Sequence, residues 1–186
     1  SFVTERVLGW SAGDGGFNYG GGDAATDYIR VLCCAVIAGC GAIIWSLVLR
    51  RSPRDHPRLH AALRVYLRVV LGIAMLGYAW VKLFGTQFAY SPIELFRPIG
   101  QMEPMQLLWM FMGASQTYTV TTGVVELISG ILLLFRRTTL VGVLLVLASM
   151  TNVVALNISY DVGVKLWSIH LLLIAVFLLA PDAGRL

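Results

Sequence analysis

Three apolar runs follow one another almost without interruption between Tyr118 and Leu179. Each has about 17–20 residues, the length that an α-helix needs to cross the hydrocarbon core of a membrane. Arg136-Arg137 separates the first run from the second, and a short polar loop at 157–163 separates the second from the third. This pattern predicts membrane-spanning helices, because a helix satisfies its own backbone hydrogen bonds in lipid.

The composition agrees with a membrane protein. Of the 186 residues, 58% are hydrophobic and 13% are charged, whereas a soluble domain has about 25% charged residues. The net charge of +4 does not indicate nucleic-acid binding, because the positive residues cluster beside apolar runs, where membrane topology explains them. All three cysteines lie in one apolar run without a C-x-x-C pattern, so the sequence predicts neither a disulfide framework nor a metal site.

The predicted fold class is an all-α membrane protein with five spans in this chain. One transmembrane helix is predicted within 27–50, and its apolar run covers 27–49. The other four spans are predicted to form a four-helix bundle within 64–186, and their apolar runs cover 65–84, 118–135, 140–156 and 164–179. The flanking segments are a glycine-rich stretch, an arginine-rich connector and a long outer loop, at 1–26, 51–63 and 85–117.

The outer loop contains a further apolar stretch. Glu103-Pro104 precedes MQLLWMFM, which is typical of a helix with proline at its first position. The stretch has about nine residues and is too short to span, so we expect it to lie at the interface or to re-enter the membrane.

The arginines predict the topology. Six of them lie at 50–68, and Arg136-Arg137 follow after one pair of spans. Loops rich in arginine stay on the cytoplasmic side. The N-terminus of this chain and the loops at 85–117 and 157–163 are then outside, and the C-terminus is cytoplasmic. An outside N-terminus ahead of five spans predicts another span upstream of this chain.

Polar residues inside the apolar runs indicate where function could reside. Counted at about 1.5 Å per helical residue, one polar residue from each bundle span falls roughly 7 to 12 Å below the outer surface: Tyr78, Glu126, Asn152 and His170. Other polar side chains lie above this layer. Together they give the candidate residues of a ligand-binding site or polar clamp: Tyr78, Lys82, Gln116, Glu126, Asn152, Asn157, Tyr160, Asp161, Lys165 and His170.

A carboxylate in a membrane span is costly and normally faces a partner or a water-filled cavity. Glu126 is therefore predicted to face the bundle interior, with His170 or Lys82 as its partner. Lys82 has a second interpretation, in which it extends to the interface as lysines near helix ends do. The layer as a whole could bind a small molecule that enters from the outer leaflet, or it could only clamp the helices together. Ion conduction is disfavoured, because ionisable residues do not continue to the inner side.

Three segments carry a family resemblance: EPMQLLWMFMGAS at 103–115, Gly123 to Thr139, and Asn152 to Asp182. They resemble the DoxX-like family of bacterial integral membrane proteins, and DYIRVLC and LRVYLR upstream resemble its larger members. Gly163 departs from the pattern, where proline is expected. The resemblance implies a four-helix bundle with an additional N-terminal transmembrane helix, located in the bacterial cytoplasmic (inner) membrane.

The resemblance also implies a function. The namesake is a membrane subunit of a thiosulfate:quinone oxidoreductase, so we expect a redox-linked membrane subunit whose outer-leaflet polar site binds a quinone or a lipid. No catalytic motif is identified. Thiol chemistry on thiosulfate is not supported, because the cysteines lie outside the polar layer. A haem held by a pair of histidines is not supported either, because His170 is the one histidine inside a predicted span. Expected partners are the bilayer and other membrane subunits or a second copy. The alternatives are a non-catalytic accessory subunit of a membrane complex and a small-molecule carrier.

Overall fold

The computed structural model describes residues 23–48, 56–89 and 95–185. Regular structure in these ranges is helical throughout. The α-helices there are α1 (Ala25–Val48), α2 (Pro57–Leu83), α3 (Pro104–Ala114), α4 (Gln116–Leu134), α5 (Thr139–Ser159) and α6 (Lys165–Leu179). A 3-10 turn at Ile99–Gln101 precedes α3, and another at Ala180–Arg185 follows α6. Most of the predicted glycine-rich segment, and residues 49–55 of the arginine-rich region, lie outside the described residues.

The chain is a multi-pass membrane protein. Within the described ranges, α1, α2, α4, α5 and the segment Lys165–Asp182 are long and apolar enough to cross a membrane. The five predicted spans are confirmed as helices, and their ends lie within three residues of the predicted ones except at the start of α2. The short helix predicted in the outer loop is also present, as α3.

Helix α2 begins earlier than predicted, and the arginine-rich connector is correspondingly shorter. Pro57 stands in the first turn of α2, where a helix does not use the missing N–H of proline. Residues 57–63, predicted to be connector, are therefore the first turns of α2. The arginines there are compatible with a helix because long basic side chains can reach the interface from it. Arg64, the next residue, donates hydrogen bonds at the end of α6, to the Leu178 carbonyl oxygen at 3.3 Å and to Asp182 Oδ2 at 3.2 Å.

Four helices pack in a closed cycle. α2 packs on α4, α4 on α5, α5 on α6, and α6 back on α2. All four helices contribute to one buried apolar cluster: Leu71, Met75, Leu133, Val143, Val146, Met150, Leu171, Ala175 and Leu178. Helices in lipid associate through close van der Waals packing and interhelical hydrogen bonds, so this contact surface holds the bundle together.

Glycines bring α2 and α4 close together. A β-carbon added to Gly130 would lie 3.0 Å from Leu76 Cδ2 and 3.1 Å from the Gly72 carbonyl oxygen. One added to Gly123 would lie 3.0 Å from Lys82 Cβ. Gly123 and Gly130 thus contact α2 closely, and the contact fixes the register between α2 and α4.

Helix α3 forms a small second core at the end of the bundle where α2 ends and α4 begins. The backbone N–H of Glu103 donates to Gln106 Oε1 at 3.2 Å as part of a capping box that starts the helix. Leu108 and Met112 of α3 are buried with Val162, and Phe88 and Trp109 pack against them. The helix therefore covers the bundle end that holds the polar residues described next.

Helix α1 contributes nothing to either core, since none of its residues is buried. The residue just before it does contact the bundle. Asp23 accepts hydrogen bonds from the backbone N–H groups of Lys165 and Leu166, both at 2.8 Å. This carboxylate thus caps α6 from a distant part of the chain and places the start of α1 beside the start of α6.

Candidate functional site

A buried ion pair joins α2 and α4. Lys82 Nζ donates a hydrogen bond to Glu126 Oε1, and the two residues are only 4% and 2% exposed. Gly123, one turn before Glu126, lets the Lys82 side chain pass close to the α4 backbone. The glutamate therefore lies in the bundle interior with lysine as its partner, one of the two that its position in the span suggested. Lys82 points inward, so the interpretation in which it extends to the interface is wrong.

Tyr78 stands one turn before Lys82 on α2. The Lys82 ammonium nitrogen lies 5.7 Å from the centroid of the Tyr78 ring, within the range of a cation–π interaction. Lysine is thus held between a carboxylate and an aromatic face. This arrangement compensates, at least in part, for removing its charge from water.

Glu126 is only half satisfied. Its Oε1 is paired, but its Oε2 is buried and has no hydrogen-bond partner in the described part of the chain. An ionised carboxylate can accept hydrogen bonds on both oxygens. A buried acceptor left unpaired costs about 1–3 kcal/mol, so this oxygen is available to accept a hydrogen bond from a water molecule or a ligand.

A cavity of about 280 Å³ borders the ion pair. Its polar lining residues are Tyr78, Lys82, Gln87, Glu126, Asn152 and Asn157, together with small hydroxyl residues. Apolar and aromatic side chains complete the wall, among them Phe88, Leu108, Trp109, Met112, Val153 and Leu156. A few polar groups within an apolar wall are the usual character of a small-molecule site. The volume lies near the lower limit of roughly 300–1,000 Å³ for such sites.

The cavity opens sideways between α4 and α5. The exposed residues that border it all come from these two helices: Tyr118, Thr121, Val125, Ala148 and Asn152. Residues from α2 and α3 form its buried side, including Lys82, Leu108 and Met112.

Five of the ten predicted site residues line this cavity, and the other five do not. Tyr78, Lys82, Glu126, Asn152 and Asn157 come from α2, α4 and α5. Asn157 also joins α5 to α6, because its Nδ2 donates to Ser168 Oγ at 3.0 Å. Gln116, Tyr160, Asp161, Lys165 and His170 lie elsewhere, and all but Lys165 are exposed.

His170 is the main correction. It was predicted to belong to the interior layer, yet it is exposed, and its Nδ1 lies 2.6 Å from the Leu166 carbonyl oxygen of its own helix. The buried face of α6 consists of Ser168, Leu171, Ala175 and Leu178. At about 100° per residue, His170 stands roughly 200° from Ser168 around the helix axis, so it faces away from the bundle.

Lys165 and Asp161 form a separate surface pair. Lys165 Nζ lies 2.6 Å from Asp161 Oδ1 and 3.7 Å from Asp23 Oδ2. These charges secure the start of α6 and the turn before it. Tyr160 is the C-cap residue of α5 and Gln116 is the first residue of α4, so both predicted residues occupy helix ends.

Several lining residues were not among the predicted ones. Gln87 follows α2, and its buried Oε1 has no partner in the described part of the chain. Leu108, Trp109 and Met112 come from α3, and Phe88 packs edge-to-face on Trp109 with ring centroids 5.3 Å apart. The sequence indicated that α3 is a helix, but it contained no signal that α3 folds over the ion pair.

Comparison with known proteins leaves the family of this chain undetermined. No protein-family model matches it. No solved structure matches it either. The chain is 30% identical over 79 residues to the uncharacterized protein YwoB of Bacillus subtilis (strain 168), and the match covers 42% of this chain and 51% of that protein. The chain thus spans about half the length of this curated relative.

Proposed function

We propose that this membrane protein binds a small amphiphilic molecule, a quinone or a lipid, in the cavity beside Lys82 and Glu126. The observation that carries the proposal is the unpaired Glu126 Oε2 of a 2% exposed residue that lines the cavity. A carboxylate needed only to clamp two helices would be satisfied by its neighbours. One oxygen serves the clamp with Lys82, and the other is left for a ligand.

The shape of the site supports a ligand that arrives from the bilayer. The opening between α4 and α5 faces lipid, and the walls are mainly apolar with a polar group at the inner end. The limited volume suits a headgroup better than a whole lipid, so a long tail would remain in the membrane. A quinone or lipid of this kind has both parts.

The DoxX-like family and the bacterial inner membrane form part of the proposal. One bundle end carries Arg64, Arg68 and Arg136-Arg137, and the other carries Asp23 and Lys165. Arg68 Nη1 lies 3.4 Å from Thr139 Oγ1, which places α2 and α5 together at the arginine end. We propose that this end is cytoplasmic, because basic residues are retained there, and that the cavity lies in the outer half of the membrane.

Native mass spectrometry of the protein extracted in a mild detergent tests the binding function. We expect one co-purifying amphiphile per wild-type chain. Ser149 lines the cavity, so Ser149→Phe should fill the space and remove the bound molecule. Leu144→Phe is the matched control, because Leu144 lies on the same helix, is 37% exposed and does not line the cavity.

The two variants decide whether the co-purifying amphiphile binds in the cavity. Loss of the amphiphile from Ser149→Phe with retention by Leu144→Phe supports the proposal. Equal retention by both would show that the molecule binds elsewhere on the bundle surface. A wild-type chain that carries no amphiphile and takes up neither quinones nor lipids when they are added would overturn the proposed function.

A second candidate is an accessory subunit of a membrane complex, and α1 favours it. No residue of α1 is buried, and large apolar side chains cover it on several sides, including Leu32, Ile37, Ile44 and Trp45. A helix with no residue buried against the described part of its own chain can pack on another protein. This role does not exclude the cavity function, since the two involve different helices.

The cysteines allow a direct test of this second role. All three cysteines of the chain are in α1, and Cys34 and Cys40 are exposed. A membrane-permeable crosslinker with one thiol-reactive arm and one photoactivatable arm, applied to native membranes, should link α1 to a partner subunit or a second copy. A chain in which all three cysteines are replaced by alanine is the control. Crosslinks to lipid-sized species alone would contradict the accessory role.

A further inference from the structure

The hydrogen-bonding groups at the cavity restrict what can bind there. In the described ranges, three buried side-chain atoms have no hydrogen-bond partner: Arg68 Nε, Gln87 Oε1 and Glu126 Oε2. The two that belong to cavity-lining residues are both oxygen acceptors. The third is a donor near the middle of α2, beside Thr139 and away from the cavity. Each of these two oxygens can accept a hydrogen bond, and a ligand in the cavity can supply the donor.

The two charges beside the cavity disfavour an ionic ligand group at Glu126 Oε2. A ligand ammonium at Glu126 would lie close to the Lys82 ammonium, whose hydrogen bond to Glu126 Oε1 is already made. A ligand phosphate or carboxylate at Glu126 Oε2 would place a second negatively charged acceptor beside this one, with no hydrogen between the two oxygens. A like charge this close is unfavourable in a dry site. A neutral hydroxyl donates a hydrogen bond without either repulsion.

The rest of the wall indicates the shape of the group that carries the hydroxyl. Aromatic residues line the cavity on three sides: Tyr78 on α2, Phe88 and Trp109 around α3, and Tyr118 on α4. Aromatic rings favour offset or edge-to-face contact with another ring. The cavity of about 280 Å³ can hold one ring.

We propose that the cavity selects a neutral ring that carries a hydroxyl group, and that this hydroxyl donates to Glu126 Oε2. This inference rests on the proposed binding function and names the class of its ligand. Methylation of the hydroxyl removes the donor and leaves the ring unchanged, so a phenol should bind better than its methyl ether. For a quinone couple, the reduced form with its hydroxyl groups should bind better than the oxidised form.

The test compares para-hexylphenol with its methyl ether, para-hexylanisole, by equilibrium binding to the full chain in lipid nanodiscs. Empty nanodiscs measure the partition of each probe into lipid and are subtracted. We expect the phenol to bind wild-type protein about tenfold more tightly, the ratio expected for one hydrogen bond to a charged group. Because the comparison uses wild-type protein, it does not depend on whether a variant folds.

Two variants assign the preference to the ion pair. The double variant Lys82→Met, Glu126→Leu removes both charges together and should bind the two probes equally. Thr151→Val is the control, because Thr151 lies on the exposed surface of α5 next to Asn152 and does not line the cavity. It should keep the preference for the phenol.

The outcomes separate this inference from the function on which it rests. Saturable binding of both probes with equal affinity, or tighter binding of the ether, would overturn the hydroxyl preference and leave the binding function standing. A preference that survives in the double variant would also overturn the assignment to Glu126. No saturable binding of either probe, together with no bound amphiphile in native mass spectrometry, would overturn both.

Discussion

The Gly72 and Gly130 backbones touch across the α2–α4 interface. A β-carbon on Gly72 would lie 3.3 Å from the Gly130 carbonyl oxygen, and one on Gly130 would lie 3.1 Å from the Gly72 carbonyl oxygen. This contact sets the register that brings Lys82, about three turns along α2 from Gly72, within reach of Glu126, about one turn along α4 from Gly130. The ion pair therefore depends on glycines that do not touch it.

Gly130→Leu should reduce the stability of the bundle in detergent. The larger side chain meets the Gly72 backbone and Leu76, and overpacking of this kind costs about 1–3 kcal/mol. Gly77→Leu is the matched control, since a β-carbon on Gly77 would have nothing within 4 Å. Thermal unfolding of the two variants measures the difference. Equal melting temperatures would contradict the tight interface.

Removing one partner of the buried ion pair should be worse than removing both. Glu126→Ala leaves Lys82 buried without its partner, which typically costs about 3–5 kcal/mol, whereas replacing a whole buried pair with apolar residues is often near neutral. Glu126→Gln keeps an acceptor and should be milder than Glu126→Ala.

Chemical denaturation of Glu126→Ala, Glu126→Gln and the double variant Lys82→Met, Glu126→Leu measures these costs. Wild-type stability for Glu126→Ala would contradict the pairing. Normal stability of Glu126→Gln with loss of ligand binding would assign the negative charge to binding rather than to the clamp.

Asp23→Ala should loosen the start of α6. The carboxylate accepts two backbone N–H groups there, and loss of a helix cap costs about 0.5–2 kcal/mol. Hydrogen exchange should become faster for the amides of Lys165 and Leu166. Asp27→Ala is the control, because Asp27 pairs with Arg30 within α1 at 2.9 Å. If both variants exchange at the same rate near Lys165, the long-range cap is absent in the membrane.

Cysteine labelling tests the proposed orientation. In a chain with its native cysteines replaced by alanine, Gln101→Cys should react with an impermeant maleimide added to intact cells. Ser52→Cys should react only after the membrane is opened, because arginine-rich loops are retained in the cytoplasm. Ser52 lies outside the described residues, so its placement comes from the sequence alone. The reverse pattern would invert the proposed topology.

The sequence predicted the five spans well because length and hydropathy are local properties. It also predicted that Glu126 faces inward. A carboxylate exposed to lipid is costly whichever residue could pair with it in the interior, so the direction could be predicted without knowing the partner. The partner itself depended on helix register. Lysine near a helix end commonly extends to the interface, and only the close α2–α4 contact turns Lys82 inward.

His170 could not be placed for a related reason. Helix α6 is apolar around its whole circumference, so polarity does not mark its buried face. Small residues at packing interfaces give a better signal, and Ser168 and Ala175, seven residues apart, identify the buried face. The contribution of α3 to the cavity, and the cap by Asp23, are contacts between distant segments that no local pattern encodes.

Because α1 is exposed, it can insert into the membrane independently of the bundle and can tolerate changes of sequence. A membrane helix satisfies its own backbone hydrogen bonds, and α1 has no residue buried against the ranges of the chain that the structure describes. It can therefore insert as an autonomous unit, and the four-helix part gains no core contact from its particular side chains. An unrelated apolar helix of equal length, joined after Asp23, should leave the cavity intact. Evolution is then free to redesign α1 for a new neighbour without disturbing the binding chemistry.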